Sequence, residues 1–378
     1  MEAFRWVGFS VGIILVFAAA ISMGKTLIVP RATPGKIASS VTSITRRAFL
    51  AVSNRFDTYE EKDKVLVLQG PALLMAILFT WLLMFFFGYG LILWPLVGGF
   101  ADSLRESGSS MLTLGFASEA SAPPTAVHFI AAATGLVAVA LLIAYLPTVY
   151  ASFNRREKLV TMLQSRAGSP AWGPEILIRH QMVGLSDNLP DFYSDWEQWA
   201  ADVTETHTTY PVLIYFRSPH ALRSWLIGLL AVMDAAALQL SLSPSKAPTE
   251  ARLCLRMGYL CLREIAAVAK ISFDADPFPE DPIELSFEEF HGACGKLNDS
   301  GFEFERSVEE AWPHFRGWRV NYESVAYALA DLIVAPPGPW SGDRSHLPGM
   351  AIVPQRPANR MPDDQGADER PRGLGIGH

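Results

Sequence analysis

The chain has 378 residues, of which 50% are apolar in type, and it carries a net charge of −7 at neutral pH. This apolar share and the positive mean hydropathy argue against a single globular domain and favour a membrane part joined to a soluble part. Because the chain is acidic and has no polybasic run, its charge argues against nucleic acid as a partner.

The first apolar stretch covers residues 6–24, which are nineteen uncharged residues between Arg5 and Lys25. That length is just enough to cross a bilayer core. The alternative is a cleaved signal peptide, since residues 18–20 are alanines that suit a cleavage site, but the first five residues have no net positive charge. We therefore predict a retained N-terminal transmembrane helix within residues 1–29.

A basic segment follows at residues 30–68. It contains seven lysines and arginines, against the single Arg105 in the later polar loop. By the positive-inside rule this segment is cytoplasmic, and the later loop lies on the opposite side of the membrane. Apolar residues recur in the segment at roughly helical spacing, namely Ile37, Val41, Ile44, Ala48, Val52 and Phe56. We predict an amphipathic linker helix, which either lies along the inner membrane surface or packs on a cytosolic domain.

Two longer apolar stretches enclose a short polar segment, and together they form a module at residues 69–154. The first stretch, residues 71–97, is uncharged and long enough to span with some tilt. Residues 127–150 supply the next span. Within this second span Gly135 and Pro147 are candidate gating hinges, although easier helix packing explains either residue equally well. Basic residues then mark the cytoplasmic exit, at Arg155, Arg156 and Lys158.

The polar segment between these spans covers residues 100–118 and is too short for a further crossing. We expect it to dip into the membrane and return, as a short helix capped by Asp102 or Ser103 and running to about Leu112. The carbonyl end of that helix would favour cations. Irregular backbone at membrane depth survives only where protein or water covers it, so the residues after the helix are predicted to line a water-filled path. The alternative is a re-entrant or extracellular loop that conducts nothing.

The segment ends in Thr113-Leu114-Gly115-Phe116, the same order of residue types as the Thr-Val-Gly-Tyr-Gly filter whose backbone carbonyls replace an ion's hydration shell. Here the chain resembles the pore-loop potassium channel superfamily, in its form with two spans around one loop, and residues 145–170 look like the junction that follows the last span in bacterial members. The resemblance implies a permeant monovalent cation, K⁺ above all, and no other cofactor. It also implies a homotetramer, because one chain supplies one of four loops. The ion-binding residues it implies are Thr113, Leu114, Gly115, Phe116 and Ala117.

Two residues depart from the filter pattern. Ala117 stands where the family has its second glycine, and Ser118 replaces the acidic residue that commonly follows, although Glu119 is next to it. A non-glycine residue at positive φ costs on the order of 1–2 kcal/mol, so we expect weak ion selectivity. The second hypothesis is a membrane-anchored scaffold or sensor that retains the channel architecture without conduction. An ion-flux assay separates the two hypotheses.

Residues 155–335 are predicted to form a helical cytoplasmic domain that regulates or assembles the module. Helical patterns occur at residues 189–203, 219–242, 249–273, 286–297 and 308–334. The segment has no dinucleotide-binding, Walker, zinc-protease or hydrolase motif, so no enzyme is predicted. Its acidic run between residues 274 and 289 lacks the EF-hand glycine and indicates a solvated loop rather than a calcium site. Its three cysteines suit neither zinc nor disulfides and are expected to be reduced.

Residues 336–378 are rich in proline and glycine and poor in apolar residues, which predicts a disordered tail. In total, we predict an all-α membrane protein of the inner (plasma) membrane, with transmembrane helices, a re-entrant pore helix and loop, and a helical cytoplasmic domain. Its expected partners are membrane lipid and further copies of the same chain.

Overall fold

The structure is a computed structural model and describes residues 2–29, 35–116 and 122–342. In this part of the chain all regular elements are helical, as predicted. The helices are α1 (Glu2–Leu27), α2 (Lys36–Ser53), α3 (Tyr59–Leu66), α4 (Gln69–Val97), α5 (Phe100–Met111), α6 (Ala122–Ala167), α7 (Gly173–Met182), α8 (Leu189–Thr209), α9 (Trp225–Leu242), α10 (Thr249–Ala269), α11 (Phe287–Asp299), α12 (Val308–Arg319) and α13 (Glu323–Ile333), with 3₁₀ turns at Ser186–Asn188 and Pro211–Tyr215.

Within the described residues, four helical stretches are long and apolar enough to cross a membrane, and they are compatible with a multi-pass membrane protein. They are Glu2–Leu27, Tyr59–Val97, Pro123–Ala167 and Trp225–Leu242. The last of these is α9, in which all 18 residues are buried among the helices of the C-terminal part. A helix that is apolar on every side is either a membrane span or the centre of a soluble core. Its burial by surrounding protein makes α9 a core helix.

Glycines bring α1 and α4 into close contact. A Cβ atom on Gly12 would lie 2.5 Å from the carbonyl oxygen of Gly88, and one on Gly88 would lie 2.8 Å from a methyl of Val16. Small residues at such an interface let two helices approach closely enough for their backbones to touch. Elsewhere in the same interface, the Trp81 indole of α4 donates a hydrogen bond of 3.1 Å to the Ser22 hydroxyl of α1. The first helix is therefore an integral part of the helical packing.

The short helix α5 lies between α4 and α6 and begins earlier than predicted. It starts at Phe100 after Gly99, which makes no side-chain cap, so the predicted capping by Asp102 or Ser103 is wrong. The reason is Gly98, whose φ of +93° lets the chain reverse directly after α4. The Ser103 hydroxyl instead donates to the Phe100 carbonyl at 2.8 Å. At twelve residues, α5 is about 18 Å long, too short to cross a bilayer.

Helix α6 continues without a break from the module into the C-terminal domain. It has 46 residues, contains Pro147 and passes residue 154, where we had expected the module to end. Next to the C-terminal part of α6, the helices of the C-terminal domain pack around α9. The predicted helical segments correspond to α8 to α13, except that residues 308–334 form two helices because the chain turns between α12 and α13. Helix α7, whose first eight residues are buried, was not predicted.

The C-terminal tail is ordered further than predicted. Trp340 is 4% exposed, and its ring lies 5.8 Å from that of Trp172 and 5.6 Å from that of Phe315. Its carbonyl oxygen accepts a 2.8 Å hydrogen bond from Arg319. The predicted disorder is therefore wrong for residues 336–342, because one buried aromatic anchors a stretch whose composition is that of a linker. The rest of the predicted tail lies outside the described residues.

Candidate functional site

The predicted filter follows directly on the end of α5, and this helix ends in a Schellman motif. The backbone N–H of Thr113 donates to the Ser110 carbonyl at 3.0 Å, and that of Leu114 donates to the Ser109 carbonyl at 2.8 Å. This motif places Thr113 in the left-handed position, with φ of +55°, where glycine is usual. The left-handed conformation costs a non-glycine residue about 1–2 kcal/mol. Strain of this kind persists where the surroundings impose it, and it is concentrated at functional sites.

The sign of φ alternates along the predicted filter. Thr113 and Gly115 have positive φ values, of +55° and +72°, whereas Leu114 between them does not. An ideal strand would direct successive peptide groups to opposite sides, and left-handed residues interrupt that pattern. The backbone is thus neither helix nor strand. No atom of a described residue would lie within 4 Å of a Cβ on Gly115, so among the described residues its glycine is required by backbone conformation and not by crowding.

Residues 113–116 are hydrogen-bonded to α5 and are otherwise exposed. The Phe116 N–H donates to the Ser109 hydroxyl of α5 at 3.1 Å. The side chains of Leu114 and Phe116 are each 58% exposed. The Arg105 guanidinium lies 5.6 Å from the centre of the Phe116 ring. This positive charge opposes cation binding nearby, whereas the carbonyl end of α5 favours it. Ala117, the fifth predicted filter residue, lies outside the described residues.

Behind the segment, three polar side chains connect α5 with α6. Glu106 Oε2 lies 3.0 Å from His128 Nε2, and the Ser110 hydroxyl lies 2.8 Å from His128 Nδ1. The first contact lacks the alignment of a hydrogen bond. Both Glu106 and His128 are less than 10% exposed. The sequence analysis missed this set, although Glu106 and Ser110 are four residues apart and must share one face of a helix.

Gly135 of α6 faces the end of α5. A Cβ atom at this position would lie 1.9 Å from the Met111 carbonyl oxygen, a distance that no side chain tolerates. Close packing is therefore a sufficient reason for this glycine. At the preceding residue, the hydroxyls of Thr134 and Tyr89 lie 2.6 Å apart and join α6 to α4. The hinge roles of Gly135 and of Pro147, which is exposed within the continuous α6, stay predictions.

The module and the C-terminal domain meet at a buried arginine. Arg156 on α6 is fully buried and donates to the carbonyls of Leu213 at 2.9 Å and Phe216 at 2.7 Å. It also donates to His207 Nε2 at 3.0 Å, while His207 Nδ1 lies 2.9 Å from the Val203 carbonyl. His207 is thus neutral with its proton on Nδ1. Burial, and then the charge of Arg156, hold the pKa of His207 well below its usual value.

A second arginine ties the linker to the same domain. Arg217 pairs with Asp63 of α3 at 2.6 Å and donates to the carbonyls of Ile333 at 2.6 Å and Val334 at 3.0 Å, where α13 ends. Its guanidinium also bonds to the Tyr59 hydroxyl. Because α3 leads directly into α4, this contact connects the first span of the module with the C-terminal domain.

Helix α2 combines features of both predicted arrangements. Arg46 donates to the Leu332 carbonyl at 3.2 Å, so α2 packs on the C-terminal domain. Ile44 and Val52 on α2 are 65% and 42% exposed, and they stay open to a membrane surface. The linker is therefore helical as its periodicity indicated, and its apolar residues are divided between a protein contact and an exposed face.

The acidic run stabilises its own loop. The Asp274 carboxylate accepts from the Asp276 N–H, and the Asp281 carboxylate accepts from the Phe278 N–H, each at 2.9 Å. Over the residues that the structure describes, no group of three or more histidines, cysteines or acidic residues is arranged to hold a metal ion. The cysteines are free and buried, and burial raises the pKa of Cys261 to about 12. Such thiols are unreactive.

Comparisons of this chain with protein-family models, with curated proteins and with solved structures found no match. What can be said of its function therefore depends on the geometry around α5.

Proposed function

We propose that this chain is the subunit of a homotetrameric membrane channel for monovalent cations, with K⁺ the expected ion. Residues 113–117 of four copies would form the ion-binding filter, and the domain after residue 155 would regulate or assemble the pore from the cytoplasm. The observation that carries the proposal is the strained, exposed turn at Thr113 and Gly115, which follows a short helix between two long apolar helices.

The local backbone supports a carbonyl-lined site. Dehydrated cations in such sites are held by backbone oxygens that replace water. A segment that serves this purpose must depart from regular secondary structure, as the alternating φ at residues 113–115 does. Two of its backbone N–H groups, those of Leu114 and Phe116, donate hydrogen bonds to Ser109 of α5.

Exposed apolar surface supports assembly in a membrane. Of the four apolar stretches, the one in α6 is the least covered by the rest of the chain. Its exposed large side chains include Phe129, Ile130, Leu136, Val137 and Ile143. Apolar surface of this extent needs a lipid or protein partner. A single copy supplies one loop, so a closed ring of copies is required to enclose an ion.

The charge distribution supports the orientation. Seven lysines and arginines lie between residues 31 and 64, against Arg105 alone in the polar segment. The linker and the C-terminal domain are then cytoplasmic, and the predicted filter opens to the outside. Cysteine-accessibility labelling of a Ser118→Cys variant from the outside checks this orientation, and labelling only from the inside would contradict it.

Assembly is tested by the mass of the intact particle in nanodiscs. The proposal expects four copies. A monomer or dimer would contradict it, because neither can surround an ion with four loops. The Gly24→Ala variant is a suitable control, since a Cβ at Gly24 would contact no described residue within 4 Å and the assembly should be unchanged.

A further inference from the structure

A cavity of about 340 Å³ lies where the apolar helices meet the C-terminal domain. Its walls come from α2, α4, α6, the 3₁₀ turn Pro211–Tyr215 and the end of α10. These elements come from three parts of the chain, so whatever occupies the cavity contacts the linker, the module and the domain at once. Nothing in the proposed pore uses this space.

One part of the cavity is apolar. Leu73 and Ile77 of α4, Tyr145 of α6 and Ile214 line it. Leu73 and Ile214 are almost fully buried, so this wall is a fixed part of the packing rather than a loose surface. Such a wall suits a hydrocarbon chain, because apolar surface gains most when it is removed from water.

The other part carries two positive charges. Arg46 and Lys270 line the cavity, and within the described part of the chain neither forms an ion pair with a carboxylate. Arg46 Nε donates to the Leu332 carbonyl, and its two terminal NH₂ groups make no hydrogen bond to a described residue. The charge of Arg46 also acts on Tyr215 in the same cavity, where it partly offsets the rise in pKa that burial causes. The guanidinium can therefore take a carboxylate with two parallel hydrogen bonds.

We propose that this cavity binds the anion of a medium-chain fatty acid, with its carboxylate at Arg46 and Lys270 and its hydrocarbon chain along Leu73, Ile77 and Tyr145. Charge complementarity selects an anion over a neutral amphiphile. The volume selects a single chain, since 340 Å³ is near the lower end of the roughly 300–1,000 Å³ that ligand pockets occupy. A diacyl phospholipid, with two chains and a headgroup, is too large for it.

The test is native mass spectrometry of the full-length protein released from zwitterionic nanodiscs after incubation with laurate. We expect one laurate per subunit. Arg46→Gln should weaken binding about ten-fold or more, because a charge-assisted pair is lost. The matched control is Arg47→Gln. This adjacent arginine is exposed and does not itself line the cavity, and it donates to the hydroxyl of Ser43, which does. Ile77→Trp should abolish binding by filling the space.

Three results would overturn the proposal: no laurate on the wild type, equal laurate binding to wild type and Arg46→Gln, or equal binding of 1-dodecanol and laurate. Displacement of laurate by phosphatidylglycerol would equally overturn the assignment to a single chain. The comparison of laurate with 1-dodecanol uses wild type alone and so stands even if a variant fails to fold. The experiment measures no ion flux, so its failure and the failure of the proposed channel are distinguishable.

Discussion

Glu106 of α5 and His128 of α6 face each other directly behind the predicted filter, with Oε2 and Nε2 3.0 Å apart. Ser110, one turn after Glu106, holds the other ring nitrogen of His128. The three groups fix the distance between the short helix and the long one. Since the filter segment is bonded to Ser109 on the same helix, any shift of α5 is passed to it.

Replacing Glu106 by leucine should strongly destabilise the packing of α5. His128 would lose the carboxylate partner of one ring nitrogen while still buried, and a buried polar group left without its partner costs about 1–3 kcal/mol. The double variant Glu106→Leu/His128→Leu should recover most of this loss. Hydrogen exchange of residues 109–116 measures the effect, with the exposed Asp102→Leu on the same helix as control. If the double variant lost as much as the two single variants together, the pair would not act as a unit.

Gly115→Ala should reduce ion flux. Its φ of +72° disfavours a side chain by about 1–2 kcal/mol, although the space around it is open. The control is Gly184→Ala, which also has a positive φ, of +68°, and no described atom within 4 Å of the added Cβ, but lies in the C-terminal domain. Flux into liposomes measures both variants. Unchanged flux in Gly115→Ala, from a conducting wild type, would show that residues 113–117 are not the filter.

Gly135→Ala should displace α5 from α6. The added methyl would overlap the Met111 carbonyl oxygen, at 1.9 Å, and backbone atoms cannot rotate away as a flexible side chain can. We expect fewer intact assemblies and faster exchange at the end of α5. Gly24→Ala adds the same methyl where nothing is near. Normal assembly and exchange in Gly135→Ala would mean that the two helices are further apart than the structure has them.

The C-terminal domain should lose stability in mild acid. His207 has a folded-state pKa well below the value of about 6.5 expected when unfolded, so below that pH the unfolded chain binds a proton that the folded one excludes. Stability therefore falls as pH drops below about 6.5, by up to about 1.4 kcal/mol per pH unit for one histidine. His180, whose pKa burial also lowers, adds to the slope.

Hydrogen exchange of α8 at pH 7.5 and pH 5.5, corrected for intrinsic rates, measures this response. His207→Gln should make it smaller, because the side chain no longer titrates. His220→Gln, at an exposed position, is the control. An unchanged acid response in His207→Gln would contradict the role of this histidine.

The sequence predicted those features that are local. Apolar length located α1, α4 and α6, and the polar gap between the spans located α5 to within a few residues. Helical spacing found most of the C-terminal helices. Contacts between distant residues were not predictable in this way. Trp340 packs against Trp172, and Arg156 donates to the carbonyls of residues 213 and 216. The sequence around Trp340 or Arg156 shows no pattern that indicates these contacts.

The filter was the easiest part of the candidate site to predict, because its residues are contiguous in the sequence. The residues that pack behind it could not be predicted. Glu106 and His128 look like ordinary polar residues until α5 and α6 are packed together. From the sequence, a gating hinge and easier helix packing explain Gly135 equally well. The structure supports the packing explanation, because the glycine makes room for the end of α5.

The central claim is tested most directly by the reversal potential of reconstituted tetramers with K⁺ on one side and Na⁺ on the other. We expect a cation current with weak preference for K⁺, and a stronger preference in Ala117→Gly, which removes a Cβ cost of about 1–2 kcal/mol. A strongly K⁺-selective wild type would contradict the role given to Ala117. No current from intact tetramers of either protein would contradict the channel itself and favour a non-conducting membrane scaffold or sensor.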